Sequence, residues 1–307
     1  MSEFGVVLNE LLKFSIILFV GYLAAWKKIL PKEYLPQLCS LITKILLPVY
    51  IFISFASKNT LKQLVTCVPI IGLTIVLYLI FIGVFFFLAK FMKLSGERSK
   101  VWQASFIFGN TAMIGIPLLA QLYSDNGILY VAVFSIVDQI ILWSYGIWLI
   151  NGQAGQIKFS YKNFLNPALC SIALALIIII FQIKIPDILL NTLRDIGSTS
   201  TPLCMLYFGS LFFYSKWKNV LRQREFYIGI LVKMILLPLI FGVFLKYLVL
   251  PSNMAETLII LSALPTMTII PIFASAYTSE GDYATGIALL TIILSMITLP
   301  LVIFIAF

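Results

Sequence analysis

The chain has 307 residues, of which 61% are hydrophobic and 11% charged, with a formal net charge of +9. Soluble domains carry roughly 25% charged residues, so this chain has too few polar side chains to cover a folded surface in water, and a mean hydropathy of +1.06 marks an integral membrane protein. The absence of histidine excludes histidine bases, histidine-containing zinc sites and histidine-ligated haem, and in so apolar a chain the positive charge reads as loop orientation rather than nucleic-acid binding.

Apolar stretches bounded by charged, Pro or Gly punctuation fall near 4–26, 34–57, 64–89, 101–123, 127–150, 167–183, 188–214, 226–248, 254–277 and 283–306. Each is about as long as a bilayer crossing requires. The expected fold is all-α, with ten transmembrane helices. The first segment opens on an acidic residue and continues apolar beyond the length of a signal-peptide core, so it is expected to remain in the mature protein. Cys39, Cys67, Cys170 and Cys204 lie in or beside apolar segments without a CxxC pair and read as small hydrophobes.

The 21 basic residues set the orientation. Loops 1–2, 3–4, 5–6 and 7–8 hold thirteen, the opposite loops hold about five, and Lys13, Lys44 and Lys233 lie within spans. By the positive-inside rule the richer side is cytoplasmic, which places both termini outside a plasma membrane.

Segments four and nine repeat one another. Residues 110–127 align with 264–281 at a constant offset of 154, with identities at Met113/Met267, Pro117/Pro271, Ala120/Ala274, Tyr123/Tyr277 and Gly127/Gly281. Agreement in offset over that length indicates duplication. The duplicated units are residues 1–150 and 167–307, joined by a short cytoplasmic linker at 151–166. A unit of five crossings returns the chain on the other side of the membrane, so the halves are expected to be inverted. Inverted repeats mark secondary transporters that build outward-open and inward-open states around one midplane site.

Pro117 and Pro271 each remove an N–H and crowd the preceding turn, so segments four and nine are expected to break there. A broken backbone at membrane depth must be buried in protein or line a cavity, and a half-helix N-terminus beyond a break suits a carboxylate or phosphate. Asn110, Thr111, Thr266 and Thr268 are candidates to bind a substrate's oxygens, or alternatively to act as interhelical glue. Lys44 and Asp138 fall near mid-span, with Lys233 about a third of the way into segment eight. A charge at the bilayer centre costs about 2.5 to 3.5 kcal/mol, so each should find a partner or an aqueous path. Lys44 joins the candidate binding set. Asp138, the acid at mid-depth, is a candidate proton carrier or the partner of Lys44 or Lys233. Glu10 and Lys13 read as a local pair.

Gly109-Asn-Thr-Ala-Met-Ile-Gly-Ile-Pro-Leu-Leu119 resembles the signature of the auxin efflux carrier family, which includes plant PIN transporters and bacterial malate and malonate permeases. Gln139-Ile-Ile-Leu-Trp143, Leu47-Pro48 and the stretch from Leu290 to Pro300 are similar as well. The resemblance implies helices four and nine crossing at their breaks around Gly115, Pro117 and Pro271. Spans three to five and eight to ten would form a transport domain, and spans one, two, six and seven a scaffold. It further implies a homodimer, elevator-like alternating access, and an organic carboxylate such as malate held near Asn110. The short 151–166 linker favours the short bacterial type. Leu264-Pro-Thr-Met-Thr268 offers no acid or amide, so sodium coupling of the kind used by the related bile-acid symporters is not expected. A drug/metabolite-type transporter, also ten spans in two inverted halves, is the alternative, and cytoplasmic termini would favour it. With no nucleophile–base set and no metal-binding acids the chain is not expected to be an enzyme, and no cofactor or metal is implied.

Overall fold

A computed structural model describes residues 3–56, 67–123, 126–151 and 167–306. The first segment is α1 (Glu3–Trp26); the second is α2 (Leu35–Leu41) and α3 (Leu47–Ala56), joined by a wide π turn at Ile42–Leu46. Next come α4 (Val68–Phe91), then α5 (Gly96–Ile107) and α6 (Ile116–Leu122) flanking a break and a wide turn at Thr111–Gly115. Segment five is α7 (Asn126–Ile141) and α8 (Ile147–Asn151) around the wide turn Leu142–Gly146. The second half holds α9 (Pro167–Ile180), α10 (Asp187–Ser198) and α11 (Ser200–Tyr214). It continues with α12 (Arg224–Ile230) and α13 (Leu237–Lys246) around Leu231–Leu236, then α14 (Ser252–Ser262), α15 (Ile269–Tyr277) and α16 (Gly281–Ala306).

Among the described residues six stretches are long and apolar enough to cross a membrane, in segments one, two, three, five, eight and ten. The sixth is shorter, the seventh divides at Thr199, and the fourth and ninth are interrupted. Residues 152–166, almost all of the expected linker, lie outside the described residues, as do Lys58, Lys62, Lys158 and Lys162.

The helices gather into two compact units, each drawing on both halves of the sequence. The first contains residues 1–70, 112–136 and 161–214. Its centre is the pairing of α1 with α11, where small residues let backbones meet. A methyl group added at Gly21 or Gly209 would collide with the carbonyl oxygen of Leu206 or Leu18. The Ser210 hydroxyl donates to Gly21 O at 2.9 Å, and Tyr214 donates to Leu30 O at 3.2 Å. Close backbone approach and such bonds replace the hydrophobic driving force that lipid does not supply. The α3 helix packs on α9 and α10, and Gly197 admits the Tyr50 backbone. Glu10 and Lys13 pair at 2.6 Å.

The second unit contains residues 71–111, 137–160 and 215–307. An aromatic wall from α4 and α5 lines it, with Phe85 5.5 Å from Trp102 and 5.9 Å from Phe106 between ring centres. At one end of the unit Arg98 donates twice to Glu225 Oε1, at 3.0 and 2.8 Å, and lies 4.4 Å from the centre of the Tyr283 ring. Glu97 accepts from the backbone and hydroxyl of Ser279, both at 2.8 Å. These bonds bring the starts of segments four, eight and ten to one end of the unit.

Candidate functional site

Segment four leaves helical geometry at Phe108, whose φ of −95° and ψ of 122° are extended. Segment nine leaves it after Ala263 and resumes at Ile269. The two breaks pair with each other. Asn110 N–H donates to Pro265 O at 2.8 Å, and Met267 N–H donates to Phe108 O at 3.0 Å, around an antiparallel bridge of Gly109 with Thr266. Gly109 permits the approach, since a Cβ there would lie 3.2 Å from Leu264 Cβ.

A helix end leaves carbonyls without intrahelical partners, and inside a membrane each needs a substitute. Three carbonyls at the end of α5 and that of Phe108 just beyond it find partners. Ala104 O accepts from Phe108 N–H at 3.2 Å, Ser105 O from the Thr266 hydroxyl at 2.7 Å, and Phe108 O from Met267. Ile107 O accepts from Lys233 Nζ at 3.4 Å. Across the break, Thr266 N–H donates to Thr291 Oγ1 of α16 at 3.1 Å, and that hydroxyl is itself anchored to Ile287 O at 2.8 Å.

The bond pattern has a local two-fold character. Asn110 and Met267 play the same part, as do Phe108 and Pro265, and each pair is separated by 157 residues. The prolines downstream are separated by 154. The first half therefore spends three more residues than the second between the bridge and its proline, and the wide turn Thr111–Gly115 lies among them. At the bridge the counterpart of Thr111 is Thr268, and that of Asn110 is Met267 rather than Leu264.

The prolines do not make the breaks. Pro271 is the third residue of α15, a position where a missing N–H would be unsatisfied in any case, and Pro117 lies inside the helical run Thr111–Leu122, just after its wide turn. Gly109 and Pro265 lie at the crossing itself. Gly115 sits in the wide turn before α6. By compact unit, Gly115 and Pro117 belong to the first, whereas Asn110, Thr111, Thr266, Thr268, Asp138 and Pro271 belong to the second.

Within the second unit Asn110 is 1% exposed and Thr111 and Thr266 each 2%, with Thr268 half-buried. Thr266 is committed to the fold through Ser105 O. Thr111 Oγ1 is buried without a hydrogen-bond partner, a state that ordinarily costs about 1 to 3 kcal/mol. Asp138 is fully buried: Tyr78 donates to Oδ1, and Gln139 Nε2 donates to Oδ2 at 3.3 Å. Gln139 accepts in turn from Trp143 Nε1 at 3.1 Å, and Trp143 packs edge-on to Phe273 of α15. Lys233 is buried and interacts electrostatically with Asp138, without a direct ion pair.

Lys44 departs from expectation. It lies in the wide turn of segment two, in the first unit, and it is exposed rather than buried. With Pro48, Phe52, Leu174, Ile178 and Leu189 it borders an apolar groove of about 490 Å³. Its long stem reaches along apolar surface and carries the charge outward, which a buried partner is not needed to offset.

Sequence reasoning overlooked Gly109, Pro265, Thr291 and Tyr78 as parts of this arrangement. The first two carried a local signal, since glycine and proline puncture a helix pattern. Thr291 and Tyr78 act from other helices and leave no mark in the local sequence.

An all-helical membrane chain whose two interrupted helices cross through backbone pairing defines the class. A model of the membrane transport protein family matches residues 6–161 and 156–303. The chain belongs to that family, the auxin efflux carrier family its motifs resemble. An uncharacterized transporter from Methanocaldococcus jannaschii is 24% identical over 205 residues, which is 63% of this chain and 65% of that protein, just under two thirds of its length.

Proposed function

We propose that this protein is a secondary transporter that moves a small organic anion, a mono- or dicarboxylate such as malate, across the plasma membrane. The observation that carries the reading is the crossing of the two breaks, with Asn110 and Thr111 buried beside it and the half-helix α15 beginning beyond it. Half-helix N-termini favour negative charge, and the unspent Thr111 hydroxyl supports an oxygen-bearing ligand at that place. Family membership supports transport over catalysis.

The mechanism follows from the inverted halves. The match of residues 110–127 with 264–281 supports two related five-helix repeats, and two such repeats supply two exchangeable conformations around one site. We take the motion to be elevator-like, with the carboxylate held at Asn110, Thr111 and Thr268 and a proton carried by Asp138. Extracellular termini and a homodimer complete the proposal.

The test is current from proteoliposomes on a solid-supported membrane challenged with malate, malonate, succinate, citrate, lactate and indole acetate, with and without sodium or a pH step. A carboxylate-specific, sodium-independent signal lost in Asn110→Ala is the expected result. Silence for every anion in folded protein would overturn it and favour the drug/metabolite alternative.

A further inference from the structure

The transport reading leaves Lys233 without a task, yet it is the most unusual charge in the molecule. It is 2% exposed, in the wide turn that interrupts segment eight, and wide turns of this kind gather at functional positions. Three features surround its ammonium group. Ile107 O, the last carbonyl of α5, accepts a hydrogen bond from Nζ at 3.4 Å. The Phe81 ring lies beneath it at 3.8 Å from the centroid. Asp138 lies beyond ion-pair distance and acts on it through its electric field.

Those are the features that would hold a small cation: a carbonyl at the negative end of a half-helix, a π face and a carboxylate. Here the cation is covalently attached. The charged and titratable groups that face Asp138 are Tyr78 from α4 and Lys233 from segment eight, with neutral Gln139 beside it; the charge that faces Lys233 is Asp138. Every one of these groups lies in the second unit.

We infer that Lys233 is a tethered cation, filling beside Asp138 and the end of α5 the position that a coupling metal cation such as sodium would otherwise take. The inference rests on the proposed transport reading for its meaning, since it gives the sodium independence proposed there a structural basis and leaves the proton as the coupling ion. A proton taken by Asp138 removes the negative charge that acts on Lys233, and Lys233 is bonded to the Ile107 carbonyl, next to Phe108. Occupancy of the acid is thereby linked to the backbone that forms the crossing.

The experiment is thermal melting of the purified full-length protein in detergent, in sodium, lithium or potassium chloride against choline chloride at equal ionic strength. Wild-type protein is expected to melt at the same temperature in all four. Lys233→Met is expected to melt lower in choline and to gain about 3 °C in sodium or lithium, the size of a shift from a ligand at about ten times its dissociation constant. In Lys233→Met/Asp138→Asn both the deficit and the cation response should disappear. Cation-sensitive wild-type protein, a cation-insensitive single variant, or a double variant no more stable than the single would each overturn the inference. Where Lys233→Met cannot be recovered folded, recovery of the double variant supports the inference and its failure overturns it. Melting needs no substrate, so a failed transport assay leaves this result intact and the two readings fall separately.

Discussion

The two compact units are held by different physics. The first closes by backbone contact: α1 and α11 touch at Gly21 and Gly209, and Ser210 of α11 donates to a carbonyl inside α1. The second buries a different set of groups. It contains interrupted backbone, an aspartate, a lysine and a chain of hydroxyl and amide bonds from Thr291 to Thr266 to Ser105. Buried polar groups are costly unless satisfied, and a partly satisfied network is the place where a ligand or proton exerts the greatest leverage. The difference teaches that apolarity alone does not locate function in this chain. Both units are apolar, but among the described residues the buried hydroxyl left without a partner beside the helix break, that of Thr111, belongs to the second.

Substitutions should separate these two kinds of stabilisation. The largest effect is expected in the first unit at Gly209, where a larger side chain meets the Leu18 backbone and cannot be accommodated by a rotamer. Gly209→Leu should cost at least about 3 kcal/mol, seen as loss of the monodisperse peak in detergent size-exclusion chromatography. Recovery of well-folded Gly209→Leu protein would break the comparison. In the second unit Asn110→Ala should do the reverse. It should lower carboxylate-evoked current by about tenfold to a hundredfold, as expected for losing a hydrogen bond to a charged ligand, while leaving the melting temperature near that of wild type. Thr291→Val tests the network itself. It strands Thr266 N–H within the crossing and should cost about 1 to 3 kcal/mol, measured by thermal unfolding, with no effect on the α1–α11 pairing.

How far these features were legible in the sequence follows the same division. Continuous helices announce themselves by composition, so α1, α4 and α16 could be placed to within a few residues. The break in segment four was legible as an event but misplaced, because Pro117 is a strong local signal and Gly109 a weak one. Pro117 follows a wide turn inside a helical run that has already begun at Thr111, and the residue that lets two backbones touch is the glycine. Asn110 and Thr111 were accessible through their motif. Lys44 was expected to be buried because its neighbours are apolar, but a lysine's stem permits an apolar neighbourhood with an exposed ammonium. Thr291 and Tyr78 depend on contacts between helices far apart in the chain, which single-sequence periodicity does not encode. The interleaved units likewise arise from packing between the two halves, whereas sequence order divides the chain near residue 150.

The smallest expected effect lies at the rim of the second unit. The backbone N–H of Ser279, and then its hydroxyl, hold the Glu97 carboxyl below its ordinary value of 4.5. A carboxyl whose folded value is depressed adds stability that is fully present above its unfolded value and is lost as pH falls through the folded one. Glu97 is exposed, and solvent screening keeps the contribution of such a group small. Melting of wild-type protein should therefore decline slightly more than that of Glu97→Gln as pH is lowered from about 5 to about 3. The two curves should differ at neutral pH and converge at the acid end. A constant separation across that range would mean that the Glu97–Ser279 contact is held by shape alone, and the polar rim of the second unit would then resemble the first unit in how it is stabilised.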